Sequence, residues 1–309
     1  MRALVTGAEG FIGHHICSLL ADKGYEVYAS VFSMDMAEDI AAKDVIRCDV
    51  RSIEDVNGAM AKSSPDAIYH LAAQSYPTLS WEKPQLTLDV NAIGTANVFE
   101  SIIAHDLDPR VIVACSSAEY GMVSSDEVPV SEAHRLAPLH PYGVSKVAQD
   151  LLTYQYFRNN GIKGVRARIF NTTGPGKVKD VVSDFAMRVA ECEAGKREFL
   201  THGNLEARRD ITDVRDMVRA LWLCESATAG QAYNLCSMGA HKVADLLDRL
   251  LSLADGKVIA KEDPDLMRPT DEPIIMGDNT KFTKETGWHP EIGIEKTLSD
   301  TLDHFRKTV

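Results

Sequence analysis

Arg2-Ala3-Leu4-Val5-Thr6-Gly7-Ala8-Glu9-Gly10-Phe11-Ile12-Gly13 is the stretch from which the rest of the chain is read. A short apolar run ends in a G-x-x-G-x-x-G loop, and residues 12–23 then follow with helical apolar spacing. The first glycine permits a tight turn. The second admits a pyrophosphate to the backbone, and the third lets helix and strand pack closely. The helix start offers unpaired N–H groups and a positive dipole end to the phosphates. Gly7, Gly10, Phe11, Ile12 and Gly13 are therefore expected to line a dinucleotide, NAD or NADP. A purely structural turn would explain the glycines but not their place between a strand and a helix.

Outward from this unit, β-branched runs recur at 26–31, 45–48, 67–71, 111–115 and 165–170. Helical spacing is found at 86–104, 142–159 and 214–225. Strands alternating with helices imply βαβ units and a parallel sheet. After Phe170 the texture changes. Residues 171–179 and 202–210 read as polar loops, 181–194 as a helix, and the mixed tail ends in a helix over 294–306. The expected fold is α/β, a Rossmann-type doubly wound parallel sheet with a smaller C-terminal α/β substrate lobe. Residues 1–170 plus about 211–238 form the first unit on this reading, and 171–210 with 239–309 the second. Ligands bind at the carboxyl ends of such strands.

Bulk properties narrow the class. In 309 residues, 45% are hydrophobic and 25% charged, which is ordinary for a globular protein. A net charge of −12 argues against general nucleic-acid binding, although local arginines can still hold an anionic small molecule. The six cysteines form no CxxC pair, so reduced thiols in a cytoplasmic protein are expected. No segment reads as a membrane span or signal peptide. The histidines are scattered and His14-His15 lacks ligand spacing, so no metal site is expected.

The second strand ends in Val31 and Phe32, where an acid would bind a ribose 2′-hydroxyl or an arginine a 2′-phosphate. Ser30 or Ser33 is left to contact either, and NAD versus NADP stays open. Asp49, beside Val50, either accepts from the adenine amino group or caps a turn. Tyr142 and Lys146 lie four apart on one helix face. A neighbouring ammonium and an oxidised nicotinamide favour the phenolate, so Tyr142 can trade a proton with a sugar oxygen as hydride moves. Ser117, at the end of the fifth strand, would bond the same oxygen, with Glu119 on the same face. The blander alternatives are a strand-end hydrogen bond for the serine and a solvated loop charge for Glu119.

The glycine loop, His70-Leu71-Ala72-Ala73-Gln74, Asn91 with Gly94-Thr95, the serine strand and Tyr142/Lys146 together resemble the extended short-chain dehydrogenase/reductase superfamily over nearly the whole chain. The resemblance implies that Ser117, Tyr142 and Lys146 are catalytic, that Leu71, Ala72 and Ala73 run along the cofactor, and that Asn91 lies near the active-site helix. It also implies a homodimer built from a helix bundle over 86–104 and 142–159. Three further segments, 170–176, 203–216 and 266–272, resemble the GDP-mannose branch, its 4,6-dehydratases and its 4-keto-6-deoxymannose reductases. By that likeness Asn171, Arg209 and Arg268 hold the diphosphate of a GDP-hexose, a task suited to arginine forks. Glu119 resembles the acid/base of the dehydratases. The compact length, the Gly-Phe-Ile-Gly loop and the short spacing from Glu119 to Tyr120-Gly121 resemble the reductases instead. A 4-epimerase and a non-catalytic cofactor sensor are the remaining alternatives.

Overall fold

The computed structural model describes residues 1–267 and 272–309. Its main sheet contains β1 (Arg2–Thr6), β2 (Glu26–Val31), β3 (Asp44–Arg47), β4 (Ala67–His70), β5 (Arg110–Ser116) and β6 (Lys163–Ile169). The chain then leaves the sheet for β7 (Asn171–Thr173), β8 (Leu200–His202) and β9 (Arg208–Asp213), and returns to it at β10 (Ala232–Leu235). The order is β10-β6-β5-β4-β1-β2-β3, and every pairing is parallel.

Strand composition follows from burial on both faces. Ala3 and Val5 of β1, Ala67 and Tyr69 of β4, and Ile112 of β5 enter one core. Their neighbours Leu4, Ile68, Val111 and Val113 enter the other. The first core is closed by α1 (Phe11–Asp22), through Ile16, Cys17 and Leu20, and by the helix over Val214–Leu223. The second is closed by α2 (Ile53–Ser63) through Val56, Ala59 and Met60, and by Val98, Phe99 and Ile102. This is the doubly wound α/β arrangement that the alternating runs implied.

Short helices α3 (Pro77–Glu82) and α4 (Pro84–Leu88) lead into a π turn, Asp89–Ile93, and then α5 (Gly94–Ala104). The single helix expected over 86–104 is thus interrupted, and Asn91 sits in the interruption, a common device at functional sites. Helix α6 (Pro141–Asn160) carries Tyr142 and Lys146 in its first turns. It is followed by α7 (Val181–Glu193) and α8 (Val214–Leu223), the latter packing Met217, Val218 and Leu221 beside α1.

Beyond the sheet lie β11 (Ala240–Lys242), α9 (Val243–Ser252), β12 (Ala260–Glu262), β13 (Ile274–Ile275), α10 (Thr280–Thr286) and α11 (Ile294–Thr308). Phe185 and Val189 of α7, Leu246 and Leu250 of α9, and Leu298, Leu302 and Phe305 of α11 form a separate core. The segments read as polar loops are partly strand. β7 opens the first and β9 closes the second, where β9 is the hub that pairs β7, β11 and β13. Their polar residues concealed them, because such short strands are stabilised by pairing rather than by an apolar alternation.

Candidate active site

The glycine loop is built for close approach. Gly7 has φ +69°, and a Cβ there would lie 2.8 Å from the Ala72 backbone. A Cβ at Gly13 would lie 2.2 Å from the Gly7 carbonyl oxygen. The Thr6 hydroxyl accepts the Ala72 N–H at 3.2 Å and meets His70 Nδ1 at 2.8 Å, pinning residues 71–73 beside the loop. Such a cradle fits a dinucleotide backbone, with Phe11 and Ile12 at the helix start and Leu71–Ala73 along its side. Lys177 arrives from the far side with its ammonium 5.0 Å from the Phe11 ring centre. His15 contacts the Pro175 carbonyl at 3.2 Å, tying the same loop to α1.

Around the adenosine end the named residues have partners within the chain. Ser30 is 1% exposed, and its carbonyl is taken by the Ala8 N–H at 3.1 Å. Ser33 caps the short turn at Met34–Met36. Asp49 takes the capping role, accepting the Arg51 N–H at 3.0 Å and the Arg51 guanidinium at 2.6 Å, a contact that holds its carboxyl below the usual range. The Val50 side chain is buried against Gly94, so only its backbone is available to a ligand.

At the carboxyl end of β5 the chain turns at Ser116 into a 3-10 turn, Ser117–Glu119. The Ser116 side chain neighbours the Tyr142 phenol and its hydroxyl accepts the Ala118 N–H at 3.2 Å, while the expected Ser117 follows it half-buried. Lys146 is buried, donates to the Ala114 carbonyl at 2.7 Å, and holds its ammonium 5.7 Å from the Tyr142 ring centre. Burial lowers Lys146 to about 8. Burial also pushes the Tyr142 phenol up to about 12, against the lowering expected from the lysine alone. Asn91 anchors this helix, donating to the Ser145 hydroxyl at 2.8 Å and to the Gln74 carbonyl at 3.1 Å.

Glu119 is not a solvated charge. It is fully buried, accepts the Ser116 N–H at 2.8 Å in a capping box, and lies 3.4 Å from Arg168 Nε. Arg168 in turn bonds Asp150 at 2.9 Å and the Tyr120 hydroxyl at 3.0 Å. Burial first, then the charge of Asp150, pushes Glu119 up to about 8. Cys115, Glu119 and Asp150 bring ligand atoms within 4.8 Å of one another, but the Arg168 guanidinium supplies the positive charge there.

Asn171 and Arg209 come together on paired strands. Asn171 opposes Ile211 and donates to the Asp210 carbonyl at 3.2 Å. Arg209, two residues before Ile211, shares its face of β9 and donates to the Glu272 carbonyl at 2.7 Å. Arg268 lies outside the described residues. What the sequence did not reveal is that Ser116 neighbours Tyr142, and that Arg168 pairs with Asp150 nearby.

Known proteins match this chain along its whole length. A family model described as GDP-mannose 4,6 dehydratase matches residues 4–301. A GDP-6-deoxy-D-mannose reductase of Pseudomonas aeruginosa is 30% identical, covering 100% of this chain and 98% of the relative. GDP-mannose 4,6 dehydratase 1 of Arabidopsis thaliana is 28% identical, covering 97% of this chain and 88% of the relative. The structure of RMD from Pseudomonas aeruginosa complexed with NADPH superposes with a TM-score of 0.89 at 27% identity, over 100% of both chains. That of Thermus thermophilus UDP-glucose 4-epimerase in complex with NAD gives a TM-score of 0.89 at 28% identity, again over 100% of both.

Proposed function

The chain belongs to the GDP-mannose 4,6-dehydratase family, and from that premise we propose that it is an NAD(P)-dependent reductase of the C4 keto group of a GDP-4-keto-6-deoxyhexose. The observation that carries this reading is the burial of Glu119. A dehydratase must remove a proton from C5 and lose water across C5 and C6, and Glu119 is fully buried against Arg168. Reduction needs no such carboxylate. It needs a proton donor at the C4 oxygen, and a phenol pushed up to about 12 stays protonated at neutral pH. Tyr142 donates its proton to that oxygen and Ser116 bonds the same atom. Lys146 holds its charge beside the ring, and Asn171 with Arg209 faces the diphosphate. A nicotinamide held by the glycine loop and Leu71–Ala73 would supply the hydride.

Two further properties accompany this reading. The free thiols fit a reducing cytoplasm, and no helix among the described residues is long and apolar enough to cross a membrane. Leu88, Ile93 and Ile103 lie exposed on the first helical run, with Val144, Leu151 and Tyr154 exposed on α6, which supports a homodimer through these helices. The test is mass spectrometry of GDP-mannose incubated with the protein and oxidised cofactor. Unchanged substrate, together with reduction of the 4-keto-6-deoxy sugar, supports the reductase. Loss of one water sinks it, and isomerisation of the unmodified sugar at C4 points to an epimerase.

A further inference from the structure

The end of β2 ordinarily offers an acid to the ribose 2′-hydroxyl of NAD, or an arginine to the 2′-phosphate of NADP. Here Val31 is fully buried, Phe32 is a solvent-exposed ring and Ser30 is sealed in the sheet. The charge at this spot comes from the glycine loop instead. Glu9 stands between Gly7 and Gly10 and folds back across the end of β2, where its Oε1 accepts the Phe32 N–H at 2.8 Å. Its other oxygen, Oε2, is shielded from solvent and has no hydrogen-bond partner. Arg51, whose guanidinium lies 5.9 Å from the Phe32 ring centre, is a cation on the same rim, but it is forked onto Asp49 at 2.6 Å.

We propose that Glu9 reads the 2′ position of the adenosine ribose and selects NAD(H) over NADP(H). A carboxylate accepts from a 2′-hydroxyl, and an oxygen that lacks a donor gains one when the ribose diol docks against it. A 2′-phosphate brings only acceptors and like charge to the same place. Arg51, the cation that could have balanced it, is already neutralised by Asp49. The loop glutamate thus substitutes for the missing acid of the second strand. Like-charge repulsion at a partly buried rim corresponds to roughly tenfold or more in affinity.

This assignment rests on the dinucleotide site proposed above, and its test needs no sugar. The purified chain is titrated separately with NADH and NADPH, following nicotinamide fluorescence. Wild type is expected to bind NADH at least about tenfold tighter than NADPH. Glu9→Gln is expected to weaken NADH, strengthen NADPH and bring the ratio close to unity, while Arg51→Ala leaves the preference for NADH in place. Equal wild-type affinities overturn the assignment, whether or not Glu9→Gln folds. A preference for NADPH that Arg51→Ala abolishes overturns it in favour of Arg51. Equal weakening of both cofactors by Glu9→Gln reduces Glu9 to a loop brace. Binding of neither cofactor overturns the dinucleotide site itself.

Discussion

Replacing Glu119 by glutamine removes an ionisable proton with almost no change of shape, and the surroundings allow its effect to be worked out. The glutamine carbonyl can keep the Ser116 N–H that Glu119 accepts at 2.8 Å. Arg168 loses a contact at 3.4 Å but keeps Asp150 at 2.9 Å, so no buried charge is left alone. With its carboxyl raised to about 8, Glu119 is mostly protonated at neutral pH, and glutamine imitates that form. The cost at pH 7 should therefore be about 1 kcal/mol or less, and reductase turnover should stay within roughly threefold of wild type. Losing a working acid/base would instead cost about 10²–10⁴-fold.

The pH dependence of stability gives a second readout. The folded carboxyl lies well above its ordinary value of 4.5, so the native state binds more protons than the unfolded chain between there and about 8. The stabilisation is present below 4.5 and is lost as pH rises through 8. Wild type should lose roughly 2–4 kcal/mol relative to Glu119→Gln across that window. Urea denaturation at several pH values, run beside the reductase assay, measures both effects. A hundredfold fall in turnover with unchanged stability would refute the role of Glu119 as a buried structural group.

Other expectations follow from the same geometry. Ser116→Ala should lower kcat/KM by about tenfold or more, through loss of a hydrogen bond to the reacting oxygen, while Ser117→Ala changes it little; steady-state kinetics separates them. Gly13→Ala drives a Cβ to 2.2 Å from the Gly7 carbonyl oxygen, so the variant should lose cofactor binding and melt at lower temperature, as fluorescence titration and thermal denaturation report. Leu302, 1% exposed between α11 and α7, should cost about 2–5 kcal/mol on truncation to alanine, read from urea midpoints.

The sheet was legible because β1, β4 and β5 are buried on both faces and write that burial as unbroken apolar runs. The glycine loop was legible because a chain with side chains at Gly7 and Gly13 could not make the turn. What escaped has a common cause in long-range pairing. β7 and β9 are polar segments whose strand character comes from pairing with distant strands, Asn171 opposite Ile211 and Thr173 opposite Asp213 among them. Cys115-Ser116-Ser117 places two serines in sequence, and the one that meets Tyr142 depends on where β5 ends. The burial of Glu119 was not legible because its partner Arg168 comes from β6, and no local pattern announces that the two meet. Asn171 and Arg209 were named from resemblance, and adjacent strands bring them to one face.

The most direct measurement follows hydride into the sugar. GDP-4-keto-6-deoxymannose is incubated with the protein and nicotinamide cofactor deuterated at C4 of the ring, and the product is examined by NMR and mass spectrometry. The proposed reduction predicts one deuterium at sugar C4 in a 6-deoxyhexose product, with turnover falling about 10²–10⁴-fold in Tyr142→Phe. Absence of deuterium at C4 in wild type, or a Tyr142→Phe variant that reduces the sugar at the wild-type rate, would contradict it.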